Sequence, residues 1–131
     1  TLVVETQSAK ESSLLIVEDD RTTDLVLTKL LNTRFKNIYH ASNGKEAVDI
    51  CSSNASIDII LMDILMPEMD GLEATRKIRE FNKEVIIISQ TVMSLPGEKE
   101  ATFDAGCNDY IAKPINPVQL FNLIDKYIQN N

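Results

Sequence analysis

Three short apolar runs constrain the fold of this chain more than any other feature. They are LLIV at residues 14–17, IDIILM at residues 57–62 and VIIIS at residues 85–89, and they are rich in β-branched side chains. Strands that helices cover on both faces contain such runs, whereas half-exposed strands alternate apolar and polar residues. The runs therefore predict a buried parallel sheet.

Segments with helical periodicity lie between these runs. The predicted helices cover residues 21–32, 44–53, 72–81, 97–105 and 117–128, and two weaker strands cover residues 37–41 and 109–112. In the last helix, Leu120, Ile124 and Ile128 share one face, and Pro117 suits the first turn. Five strands alternating with five helices predict a doubly wound α/β fold with a five-stranded parallel sheet.

The length of 131 residues fits one domain with an ordinary core. The segment ETQSAKESS at residues 5–13 is polar and lacks apolar periodicity, which is typical of a linker. Residues 1–12 are therefore predicted to be a linker or upstream tail, and residues 13–131 the folded domain. Within the tail, TLVV at residues 1–4 is either the end of an upstream strand or disordered.

The net charge of −7 argues against a nucleic-acid or anionic-membrane surface. No apolar run approaches the ~20 residues of a membrane span, so no direct membrane contact is expected. Cys51 and Cys107 lie far apart without metal-like spacing, which favours a reducing compartment. We expect a cytoplasmic domain, whether or not a parent protein is anchored to a membrane.

Acidic residues follow two of the predicted strands. Asp63 lies within the apolar segment ILMDILMPEMDG, where an unpaired buried charge costs several kcal/mol or more, so it needs a partner, a metal or a reaction. Glu18 and Asp19 follow the first strand. Neighbouring parallel strands end at the same edge of a sheet, so these three carboxylates should converge and repel one another. Oxygen ligands of this kind favour Mg²⁺, which would remove the repulsion.

Two further strand ends supply complementary groups. Thr91 follows the fourth strand with a hydroxyl, and Lys113 follows the fifth with an ammonium group. A carboxylate nucleophile, Mg²⁺, a hydroxyl and an ammonium together favour transfer of a phosphoryl group onto Asp63. Asp20, by contrast, is predicted to cap the first helix rather than to bind metal.

The segments LLIVEDD, LMDILMPEMDG, SQT and DAGCNDYIAKPI occur in an order and at separations that resemble one known family. With them, residues 13–131 resemble the receiver domain of two-component response regulators, which has a flavodoxin-like fold. The resemblance implies a domain that takes a phosphoryl group from a histidine kinase or a histidine phosphotransfer domain onto Asp63. It also implies that the domain catalyses its own phosphorylation and dephosphorylation.

The resemblance assigns roles to metal ligands. Asp19 matches the direct Mg²⁺ ligand, Glu18 helps directly or through water, and the backbone carbonyl of Leu65 is a further ligand. Lys113 matches the family lysine, and Pro114 matches a proline that usually follows a cis peptide bond.

The same resemblance assigns a switch. Thr91 and Tyr110 match the hydroxyl and aromatic positions that couple phosphorylation to a surface change. One departure is Val92, where the family usually has a smaller residue, and its bulk would narrow the entrance to the site.

Other classes remain open on the sequence. Haloacid-dehalogenase phosphohydrolases also use an aspartate, Mg²⁺, a threonine and a lysine, but they need a second acid where this chain has Leu65. A degenerate receiver would act only as a binding surface. For the parent protein we expect a hybrid histidine kinase with this receiver at its carboxyl terminus, with a stand-alone response regulator as the alternative.

Overall fold

The computed structural model describes residues 11–92 and 96–128. The TLVV segment and most of the predicted tail lie outside the described residues, so the linker assignment stays a prediction. Within the described ranges, no helix has the length and apolar character needed to cross a bilayer.

Five parallel strands and five helices alternate along the chain, as predicted. The strands are β1 Ser13–Val17, β2 Asn37–Ala41, β3 Ile59–Asp63, β4 Ile86–Thr91 and β5 Asp109–Ala112. The helices are α1 Arg21–Leu31, α2 Gly44–Ser53, α3 Gly71–Arg79, α4 Glu98–Ala105 and α5 Pro117–Ile128. The sheet order is β2-β1-β3-β4-β5. Strand β1 pairs with the central strand β3, and the order of the strands reverses at β1.

Side chains alternate between the two faces of the sheet and build two cores. On one face, Leu61 and Ile88 pack with buried residues of α1 and α5, including Leu27 and Leu120. On the other face, Met62 and Ile87 pack with α2 and α3. Helix α4 contacts α3 and β5. Both faces are covered, which is the reason that the strands contain uninterrupted apolar runs.

Side-chain caps fix the starts of three helices at the edge where the strands end. Asp20, Asn43 and Asp70 precede α1, α2 and α3, and each side chain accepts a hydrogen bond from the backbone N–H three residues later. The prediction that Asp20 is a helix cap is confirmed.

Several predicted boundaries were wrong by one or two residues. Strand β4 runs from Ile86 to Thr91 rather than over 85–89, because the Val85 N–H is bound by the side chain of Asn82 in a turn. At its other end, the Lys113 N–H donates to the Thr91 carbonyl and prolongs the pairing. Likewise β3 begins at Ile59 instead of residue 57. Four helix ends also shift, since α1 ends at Leu31, α3 spans Gly71–Arg79 and α4 begins at Glu98.

Candidate active site

The three predicted carboxylates meet at the carboxyl edge of the sheet. Asp63 is the last residue of β3, and Glu18 directly follows β1, which pairs with β3. Both are buried, with 3% and 4% of their surface exposed, whereas Asp19 is exposed. Oxygen atoms of all three lie within 4.8 Å of one another. The predicted convergence is thus present.

Lys113 lies against two of these acids. Its Nζ is 3.0 Å from Asp63 Oδ1 and 3.5 Å from Glu18 Oε1. Burial alone would lower the pKa of Lys113, but the hydrogen bond and charge of Asp63, with the charge of Glu18, outweigh it and raise that pKa. The ammonium therefore stays charged in the physiological range. The Lys113–Pro114 peptide bond is cis, as the sequence suggested.

The crowding of negative charge changes the pKa of Glu18. Burial, followed by the negative charge of Asp63, raises the pKa of Glu18 to about 7. Hydrogen bonding from the Asp20 N–H to Glu18 Oε2, at 3.1 Å, and the charge of Lys113 oppose the rise. Glu18 Oε1 has the Lys113 ammonium at 3.5 Å but, within the described residues, no hydrogen bond of good geometry. A buried carboxylate oxygen so weakly paired, beside two more carboxylates, fits a hard divalent cation.

The fourth strand closes the other side of the site. Thr91 is the last residue of β4 and is only 7% exposed, while Val92 after it is half exposed. Leu65, in the loop after Asp63, exposes 71% of its surface. These three side chains help to line a cavity of about 110 Å³ that reaches Thr102 of α4. The assignment of the Leu65 carbonyl as a ligand stays a prediction.

Tyr110 lies apart from the acidic cluster. It is a half-buried residue of β5, and its ring meets that of Phe103 on α4 edge to face, with 6.1 Å between centroids. Both rings border a groove of about 740 Å³ that runs along β5 between α4 and α5. Its switching role stays a prediction.

Gly71 supports the site in a way that sequence reasoning missed, because the pattern of apolar residues predicts the third helix only from residue 72. A Cβ at Gly71 would lie 2.2 Å from the backbone oxygen of Asp63, and one at Gly44 would lie 2.4 Å from that of Met69. The first turns of α2 and α3 thus press directly on the loop after Asp63. The available signal was one glycine at a predicted helix start, Gly44, and another directly before the next predicted helix, Gly71.

Comparison with known proteins gives a consistent result. A family model described as the response regulator receiver domain matches residues 14–125. The chain is 40% identical over 130 residues to the hybrid signal transduction histidine kinase I of Dictyostelium discoideum, covering 90% of this chain and 8% of that protein. It is 37% identical over 118 residues to the two-component response regulator 24 of Arabidopsis thaliana, covering 88% and 85%. The chain thus spans a small part of the one relative and most of the other.

Two solved structures share the fold at high overlap. One is the receiver domain of a Saccharomyces cerevisiae response regulator, crystallised with its histidine phosphotransfer protein; it has a TM-score of 0.85 at 29% identity and covers 95% of this chain and 92% of that chain. The other is the receiver domain of a Pseudomonas aeruginosa sensor histidine kinase with magnesium in its active-site cleft. It has a TM-score of 0.80 at 32% identity and covers 90% and 98%.

Proposed function

Because this chain belongs to the response regulator receiver domain family and is a receiver domain of a two-component phosphorelay, we propose that Asp63 is its phosphoacceptor. The observation that carries the proposal is the contact between Asp63 Oδ1 and the Lys113 ammonium, at 3.0 Å, beside two further carboxylates. A buried aspartate held by one fixed cation is oriented for attack and shielded from water.

We propose that the reaction proceeds by direct transfer from a phosphohistidine. An Asp63 oxygen attacks phosphorus in line, the P–N bond breaks, and its electron pair returns to the imidazole. Lys113 stabilises the charge of the equatorial oxygens, and the Thr91 hydroxyl donates to one of them. Tyr110 then responds to the new position of Thr91 and alters the face formed by α4, β5 and α5.

The acidic cluster supports a Mg²⁺ site in this proposal. Oxygens of Glu18, Asp19 and Asp63, with the Leu65 backbone carbonyl, would hold the ion, which when bound offsets the negative charge gathered around the transferring phosphoryl group. Glu18 Oε1, which is buried and lacks a hydrogen bond within the described residues, supports this assignment.

The donor is proposed to be a histidine phosphotransfer domain or a histidine kinase that docks at this edge. Within the described ranges, five of the seven exposed large apolar side chains belong to segments at this edge, namely the first two turns of α1, the first turn of α5 and the residues that follow β3 and β4: Leu25, Val26, Leu65, Val92 and Val118. A clustered apolar rim is typical of a protein-binding surface. The Saccharomyces cerevisiae relative was solved with a phosphotransfer protein, which supports this partner class.

The parent protein is proposed to be a hybrid histidine kinase, supported by the relatives of that type, with a stand-alone regulator as the alternative. We propose a cytoplasmic location, which two buried cysteines without a disulfide support. The haloacid-dehalogenase hypothesis gains no support, since Leu65 stands where its general acid would be.

Labelling with acetyl phosphate and Mg²⁺ tests the assignment of Asp63. The protein should gain one base-labile phosphoryl group, detected by intact mass, and Asp63→Asn should abolish it. Asp70→Asn is the matched control: it removes a nearby exposed carboxylate, while asparagine keeps the cap of α3. Labelling of Asp63→Asn at the parental level would show that another residue is the acceptor.

A further inference from the structure

Gln90 is a polar residue buried next to the phosphoacceptor strand. Its side chain is 0% exposed, and within the described part of the chain neither Oε1 nor Nε2 has a hydrogen-bond partner. Burying an unpaired carboxamide costs stability, whereas an apolar side chain of similar volume does not. Neither the phosphoryl transfer nor the Mg²⁺ site, as proposed above, uses this residue.

The pairing of the strands places Gln90 beside Asp63 on the neighbouring strand. It is in register with Asp63 on β3 and with Ile111 on β5. Side chains in register on parallel strands share a face, and the alternation along β4 puts Gln90 on the face of Ile88, which α1 and α5 cover. Lys113 follows Ile111 by two residues at the same edge.

We propose that Gln90 is a positioning residue whose carboxamide finds its partner only when Asp63 carries a phosphoryl group; the proposal rests on the proposed role of Asp63. In the unmodified protein, Lys113 Nζ donates to Asp63 Oδ1 at 3.0 Å. A phosphoryl group offers the ammonium stronger acceptors, so Lys113 turns towards it. The Asp63 oxygen outside the new P–O bond is buried and has two lone pairs, of which the Mg²⁺ site uses one; the other needs a donor once Lys113 has turned away, and Gln90 Nε2–H supplies it from the adjacent strand.

This exchange of hydrogen bonds biases the two states in opposite directions. The unpaired amide raises the free energy of the unmodified protein, and its pairing lowers that of the phosphorylated protein. A side chain that interacts differently with two states shifts the equilibrium between them. Gln90 therefore favours occupancy of the phosphorylated state.

Gln90→Met tests the proposal because methionine is nearly isosteric and lacks the amide. Beryllofluoride with Mg²⁺ serves as the probe of the phosphorylated state. We expect the melting temperature of the free variant to rise by a few degrees while its affinity for beryllofluoride falls five- to tenfold. A residue that merely packs would move both quantities in the same direction. Ser89→Ala is the matched control, since Ser89 is equally buried on β4 but faces the opposite core.

Each outcome decides the question. Parental affinity in Gln90→Met, which an internal water pairing the amide in both states would produce, overturns the proposal. A fall in the melting temperature of that variant, or failure of both it and Gln90→Leu to fold, shows that the amide is paired in the free protein and overturns it as well. If the parent itself does not bind beryllofluoride, the role of Asp63 is wrong and this proposal falls with it.

Discussion

At the scale of single residues, the site is defined by two buried carboxyl groups, Glu18 and Asp63, that share one ammonium group. Lys113 lies nearer to Asp63, at 3.0 Å, than to Glu18, at 3.5 Å. The more distant carboxyl group is thus poorly compensated, and burial with the charge of Asp63 raises the pKa of Glu18 to about 7. Without a cation, Glu18 shares its site with a proton near neutral pH.

Mg²⁺ binding should therefore compete with this proton. The affinity for Mg²⁺ is expected to rise about tenfold from pH 6 to pH 8, since Glu18 must ionise to become a ligand. Isothermal titration calorimetry at several pH values measures this slope. Glu18→Gln should bind Mg²⁺ more weakly and with a flatter dependence on pH.

The same proton has a signature in the stability of the metal-free protein. The folded state holds it more tightly than the unfolded chain, where the pKa is 4.5. Protonation of Glu18 thus contributes stability that is fully present below pH 4.5 and lost as the pH rises through 7. Asp20→Asn, which keeps the cap of α1, is the control and should retain both pH dependences. If the affinity for Mg²⁺ depends on pH in Glu18→Gln as it does in the parent, the competing proton belongs to another residue.

The positions of site residues were predictable from the sequence where chain order alone determines them. Asp63, Thr91 and Lys113 stand at strand ends, and a parallel sheet brings strand ends together whatever the details of packing. Whether Lys113 lies nearer to Asp63 or to Glu18 depends on a few tenths of an ångström. The separation of these residues along the sequence does not determine such a difference. Likewise the unpaired amide of Gln90 became visible only once the register of β3 and β4 was known.

At the scale of elements, helices α2 and α3 hold the loop after Asp63 by close backbone contact. The Cβ that Gly71 lacks would overlap the Asp63 carbonyl oxygen at 2.2 Å, and main chain on both sides leaves no flexible atom to yield. Gly71→Ala should therefore lower the free energy of unfolding by roughly 2 to 3 kcal/mol and slow labelling by acetyl phosphate. Urea denaturation and the labelling rate measure the two effects.

Gly97→Asn is the matched control for that variant. Gly97 precedes α4 with φ at +86°, a conformation that asparagine tolerates, and nothing lies within 4 Å of its Cβ position. Its stability should change by much less than that of Gly71→Ala. Equal losses in the free energy of unfolding in the two variants would mean that the backbone flexibility of glycine matters at both positions. The close contact of Gly71 with the Asp63 carbonyl would then not explain the effect.

Element type was easier to predict than element ends. Continuous apolar runs fixed the strands, but their limits depend on single hydrogen bonds, such as the one from Val85 N–H to Asn82. Helix α3 begins at Gly71 because Asp70 caps it, a position that the pattern of apolar residues, starting at Leu72, could not reveal.

At the scale of the whole molecule, all strand ends and three capped helix starts share one edge, and the apolar rim surrounds it. In the proposed transfer the partner's histidine has to reach Asp63, which is 3% exposed, so we expect the partner to bind on this rim. Leu25 and Val26 lie on α1 with about half of their surfaces exposed. Burial of each side chain in a complex would contribute roughly 1 kcal/mol to the free energy of binding.

Replacing both with glutamine should therefore separate docking from chemistry. Leu25→Gln/Val26→Gln is expected to slow phosphoryl transfer from a phosphorylated histidine phosphotransfer domain roughly thirtyfold, because the two side chains together contribute about 2 kcal/mol and each 1.4 kcal/mol corresponds to a factor of ten. Labelling by acetyl phosphate should stay within twofold of the parent, since a small donor needs no rim. The rate of loss of phosphate from the donor domain, at limiting receiver, measures the effect.

Phe81→Gln provides the control for this last prediction. Phe81 is also an exposed large apolar residue, 47% exposed, but it follows the carboxyl end of α3 at the opposite edge of the sheet. Its replacement should leave both rates unchanged. A loss of transfer in Phe81→Gln equal to that in the α1 variant would show that general surface hydrophobicity, and not the rim, determines docking. Slowing of both donors in the α1 variant would instead mean that α1 acts through the site itself, by way of Asp19 and the cap at Asp20.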